Sequence, residues 1–209
     1  MNDTGITKIK LRPSDRIFLM LTAILASYQV AVGIDGFSTL PIVAYTIAFG
    51  VLLIASLLVF ILGFSVLDSS IVVIVSTILP LSLATGLVWE RLEAYRLTFL
   101  AFSLWGLLAI AITRSTPVPG KLPTLVLASV HAIAGLTIFL LPIVLAATRQ
   151  APPLFSLVGI GGGLIGSAGL MLSFLKVGRP IPPKETILKM LPAMLAAMTA
   201  CYVAGFLFG

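Results

Sequence analysis

Across 209 positions the chain has one cysteine, one histidine and seven acidic residues. These are the groups that most often carry chemistry, and their scarcity excludes a good deal. Cys201 alone makes neither an internal disulfide nor a thiolate metal cluster. No second His, Asp or Glu lies within a helical turn of His131, so protein ligands alone do not build a metal site there. The patterns H-E-x-x-H, G-x-S-x-G and the phosphate loop are all missing. Intramembrane proteolysis of the zinc or serine kind therefore lacks its parts, and the chain reads as a non-enzyme. No cofactor is named by any motif. Charge is scarce too: 10% of residues are charged, against about 25% in soluble domains.

What is abundant is apolar length. Hydrophobic residues make up 59% of the chain, more than one aqueous core can hide, so the bilayer is its solvent. A spanning helix needs roughly 20 mainly apolar residues. Seven segments qualify: 16–34, 38–62, 68–89, 94–113, 123–147, 154–176 and 186–208. The expected fold is all-α, a polytopic bundle of seven transmembrane helices. Residues 1–15 form a cytoplasmic segment and 16–209 a single domain. The first span lacks an A-x-A site behind it and reads as an uncleaved helix. Residues 38–89 are nearly continuous, and Gly63 to Asp68 supplies the break. Asp68 is placed to cap the third helix.

The net charge of +6 does not point to nucleic acid, because the basic residues fall in short gaps between spans. They set orientation instead. With the N-terminus inside, one side holds Lys8, Lys10, Arg12, Arg16, Arg114, Lys121, Lys176, Arg179, Lys184 and Lys189. The other holds Arg91, Arg96 and Arg149. That bias predicts a cytoplasmic N-terminus.

Seven helices divide as three, one and three. LASYQVAVG (25–33) in the first matches LASVHAIAG (127–135) in the fifth. LPLSLA (79–84) in the third matches LPAMLA (191–196) in the seventh. A parallel duplication on this 3+1+3 plan resembles facilitators built from two three-helix units, whose substrate sites lie between the repeats. The alignment sets His131 opposite Gln29, and both are candidate substrate contacts.

His131 is the one ionisable group near the middle of a span, and such groups are functional candidates. Ala128 and Gly135, one turn to either side, mark a face where another helix packs closely. The functional readings are a substrate contact, a proton relay or an axial ligand to a tetrapyrrole metal. The structural alternative is a neutral histidine bridging two helices. In WERLEAYR (89–96) two acids and two bases sum to zero, which predicts a salt-bridged tight turn. GIGGGLIGSAGL (159–170) lacks the Lys-Ser/Thr of a nucleotide loop. Its glycines at three- and four-residue steps, Gly159, Gly163 and Gly166, and Gly162, Gly166 and Gly169, predict close helix packing. Pro80 and Pro142 predict kinks.

The stretches VAYTIAFGVLLIA (43–55), ILGFSVLDSSIVVIVSTILPLSL (61–83), LAIAITR (108–114) and LSFLKVGRPI (172–181) resemble an uncharacterised family of integral membrane proteins common in cyanobacteria. The resemblance implies a photosynthetic bacterium and a cytoplasmic or thylakoid membrane. It supplies no binding residues. Two functions follow as expectations. One is a non-catalytic accessory or assembly factor partnered with a membrane protein complex. The other is a small-solute facilitator with a polar-lined cavity near Gln29 and His131.

Overall fold

The structure is a computed structural model that describes residues 10–34, 36–116, 118, 120–176 and 182–209. Seven helices account for nearly all of them: α1 (Pro13–Val32), α2 (Thr39–Leu62), α3 (Ser70–Arg91), α4 (Arg96–Ser115), α5 (Leu122–Ala147), α6 (Ser156–Lys176) and α7 (Lys184–Phe208). All seven are long and apolar enough to cross a membrane, so the chain is a multi-pass integral membrane protein. Each helix lies within a few residues of the span its apolar run predicts.

The ends show why these helices start and stop where they do. α1 begins three residues before its apolar run. Pro13 sits where a missing N–H costs nothing, and the Arg12 amide donates to the Asp15 carboxylate at 2.9 Å. Arg12 also pairs with that carboxylate through its side chain at 2.7 Å. That bond holds the guanidinium above its ordinary pKa. Arg12 then reaches across to the Lys189 carbonyl at 3.1 Å, tying the start of α1 to the start of α7. α2 stops at Gly63, whose φ of +76° paired with an extended ψ is a conformation nearly confined to glycine. A 3-10 turn, Phe64–Asp68, follows. Asp68 is not the cap of α3. That position belongs to Ser69, which makes no side-chain cap bond, and Asp68 is exposed as the last residue of the turn. Phe64 is buried against Leu19, Val59 and Leu188, so packing fixes this turn where a cap was expected.

α5 ends differently. Gln150 N–H donates to the Leu145 carbonyl at 2.8 Å, which closes a left-handed cap on Arg149 at φ +59°. Glycine normally holds this position, because a side chain there costs about 1 kcal/mol. Arg149→Gly should therefore raise stability by about 1 kcal/mol. A lower unfolding temperature for the variant would show instead that the arginine side chain stabilises this corner.

The packing order is simple. α1 lies against α2 and α7, α2 against α3, α3 against α5, α5 against α6, and α6 against α7. Six helices thus close a ring, and α4 stands outside it in the groove between α3 and α5. α4 buries 17% of its span, against 56% for α3. Its narrow buried stripe is Ser103, Gly106 and Ile110. Ser103 and Thr85 share a buried hydroxyl–hydroxyl bond of 2.7 Å, and the Val130 side chain fits over Gly106. Proline interrupts three helices, at Pro80, Pro142 and Pro192. The third was not singled out from the sequence.

Two faces result. One carries Arg12, Arg16, Arg114, Lys121 and Lys189. The other carries Arg91, Arg96 and Arg149 and the ends of α1, α3, α5 and α7. Lys8 and Arg179 lie outside the described residues.

Candidate functional site

The two residues singled out as substrate contacts are not brought together. Gln29 is buried three residues before the end of α1, about 4.5 Å of helix from the Arg91 face. Its side-chain amide donates to the Gly33 carbonyl at 2.7 Å, while its Oε1 is buried without a partner among the described residues. His131 is the tenth residue of α5, which starts from the opposite face. Its Nδ1–H donates to the Leu127 carbonyl of its own helix at 3.0 Å. Among the described residues no hydrogen bond joins the histidine to a second helix, so the expected bridge is not seen. Its neighbours Ala128 and Gly135 are not at a close approach either. Ala128 is exposed, and a methyl group added to Gly135 would meet open space.

The close approach on α5 lies further along. A Cβ on Gly159 would come within 2.6 Å of Ile143 and of the Phe139 carbonyl. One on Gly162 would come within 2.7 Å of Ile138, and one on Gly163 within 3.1 Å of Phe139. The glycines of α6 do pack tightly here, as their spacing predicts. Gly166 and Gly169 depart from that pattern, since both face open space. The helices meet antiparallel, so Gly166 stands level with Gly135. His131, one turn beyond Gly135, is half-buried. Gly161, outside the expected pattern, faces Tyr202 of α7 at 2.7 Å.

The densest arrangement of side chains lies elsewhere, in the half of the ring towards Arg91. Phe206 of α7 is its centre. Its ring meets Tyr45 at 4.6 Å, Phe49 at 6.2 Å, and Phe37 and Phe155 at 6.3 Å each. Phe49 in turn meets Tyr202 edge-on at 6.4 Å. Gly86 of α3 makes room for the Tyr45 ring, which any Cβ there would overlap. Lower down, Ala48, Phe49, Leu52, Leu79, Leu83 and Tyr202 close together and leave no space that holds a water molecule. The interior between α2, α3 and α7 is packed solid.

Arg91 covers this cluster. Its guanidinium carbon lies 5.1 Å from the Phe155 ring centre and 5.9 Å from that of Phe37. The expected salt-bridged turn is only partly present. Arg96 pairs with Glu93 at 3.0 Å and also donates to the Trp89 carbonyl. Glu90, however, accepts from the Ser38 hydroxyl at 3.1 Å and the Ser38 amide at 3.3 Å, which ties α3 to the start of α2. Arg91 has no carboxylate partner among the described residues. Sequence reading missed the cluster because Phe37 and Phe155 are far from Arg91 along the chain.

No family model, no curated protein and no solved structure matches the chain. What it can do chemically rests on its own side chains. Among the described residues no group of three His, Cys, Asp or Glu could hold a metal ion. A groove of about 490 Å³ opens on the Arg91 face, lined by Arg149, Gln150, Ala151, Pro152 and Pro153. Tyr45 and Tyr202 each bury a hydroxyl with no partner among the described residues.

Proposed function

We propose that the chain is a non-catalytic component, an accessory or assembly factor, of a membrane protein complex. Its resemblance sets that complex in a photosynthetic membrane, and the Lys/Arg bias sets the Arg12 face in the cytoplasm. The observation that carries the reading is the contrast between a filled interior and a bare flank. α4 turns Leu97, Leu104, Trp105, Leu108 and Ile112 outward, with Trp105 71% exposed halfway along its span. Tryptophan normally sits at the headgroups, where its N–H meets water. At mid-bilayer that donor has no acceptor in lipid, whereas a neighbouring protein helix supplies one.

Native electrophoresis of gently solubilised source membranes, with absorbance and mass spectrometry on the band, tests this. The chain should migrate within a larger complex, and Trp105→Ala should release it. Migration alone, with and without the substitution, would sink the reading. A coloured band that loses its colour in His131→Ala would add a pigment held at His131.

A small-solute facilitator is the second reading. It is favoured by the ring order, in which the α3–α5 and α7–α1 contacts exchange when the two three-helix units are swapped. It requires solute uptake by liposomes holding the protein alone.

A further inference from the structure

Arg91 differs from the other cations of its face. Arg96 is paired with Glu93, and Arg149 is exposed. Arg91 is half-buried, and its Nε is fully buried with no partner among the described residues. The adjacent acid, Glu90, is engaged by Ser38. Arg114 also buries an unpaired Nε, but no aromatic ring holds it. At Arg91 two rings, Phe37 and Phe155, fix the guanidinium. A guanidinium seated on aromatic faces keeps its donors in a rigid plane, directed at its edge. A half-buried guanidinium with no acidic partner is best met by an oxyanion at its accessible edge.

A second unpartnered polar group lies in the same half of the ring. The Tyr45 side chain is wholly buried and its hydroxyl has no partner among the described residues. Helical side chains lean towards the N-terminus of their helix, and α2 starts on the Arg91 face. The ring lies over Gly86, one turn short of Glu90 and Arg91. The ring therefore lies in the half of the bundle that Arg91 closes.

We propose that Arg91, seated on the Phe37 and Phe155 rings, is an oxyanion site for a phosphate group at the membrane boundary. Arg91 is the last residue of α3, which sets the site at headgroup depth. The phosphate comes either from an anionic lipid headgroup or from free phosphate. The site does not depend on the accessory reading.

The test uses the full chain purified in a phosphate-free, uncharged detergent. Phosphatidylglycerol is titrated in and adducts are counted by native mass spectrometry. Inorganic phosphate is titrated separately and the melting temperature followed. The wild type should retain phosphatidylglycerol, and Arg91→Gln should weaken retention about tenfold. Arg91→Lys keeps the charge but not the forked donors, so it should weaken retention by a smaller factor. It also serves if the glutamine variant fails to fold. Arg149→Gln should change nothing. If inorganic phosphate alone raises the melting temperature, and does so only with Arg91 present, the free anion is the ligand. Equal binding by wild type and both Arg91 variants overturns the proposal. So does an equal loss in Arg149→Gln, which would mean general surface charge, and so does binding of neither probe by the wild type.

Discussion

Phe206→Ala should cost about 3 kcal/mol of stability, near the lower end of what removing a buried aromatic costs in water-soluble cores. Phe206 is the residue on which Phe37, Tyr45, Phe49 and Phe155 converge. Truncation leaves all four rings facing a hole, and each loses its dispersion contacts on one side. The lower end applies because lipid, and not water, is the alternative solvent for these rings. The loss should also loosen Arg91, since two of its supporting rings rest on Phe206. Reversible unfolding in mixed micelles measures the change. A value under about 1 kcal/mol would mean that the neighbours collapse into the gap. The aromatic cluster would then be a filling and not a keystone.

The second large effect is a difference of sign between two glycines one turn apart. Gly162→Ala should destabilise by about 2 kcal/mol, as overpacking typically does. The new methyl would stand 2.7 Å from the Ile138 side chain and 3.0 Å from its backbone. Backbone cannot step aside, so α5 and α6 must separate. Gly166→Ala meets open space. It should stabilise by about 0.5 kcal/mol through helix propensity and reduced freedom of the unfolded chain. Both substitutions are identical in sequence terms, and unfolding of each variant beside the wild type decides the matter. Two losses of equal size would mean that α6 is pressed against a neighbour along its whole length.

That pair also shows what could be read without a structure. Helix number and span were legible because a bilayer demands long apolar runs and short polar breaks, and even the nearly continuous run 38–89 carries a break at Gly63 to Asp68. Close packing at Gly159, Gly162 and Gly163 was legible from spacing. The openness at Gly166 and Gly169 was not, because which stretch of a helix meets a neighbour is a property of two helices together. His131 and Gln29 were aligned by short matches in a narrow alphabet. Their depths depend on where α1 and α5 start, and for α1 the bond from Arg12 to Asp15 and the position of Pro13 decide it. Arg91 was read as part of a neutral turn. Its actual neighbours, Phe37 and Phe155, come from loops that only the closed ring brings near.

The ring has a consequence for how the molecule is made. It is closed by α7, the last of the seven helices to leave the ribosome, packing on α1, the first. α7 also brings Phe206 and Tyr202, so until it arrives Tyr45 and Phe49 face lipid or a chaperone. Arg12 finds its second acceptor, the Lys189 carbonyl, only then. Synthesis and insertion of six helices therefore yield an open crescent, and maturation is timed by the seventh. An insertion arrest placed after α6 should accumulate a species in which a cysteine substituted at Tyr45 reacts with lipid-soluble maleimide. The same cysteine should be protected once translation completes.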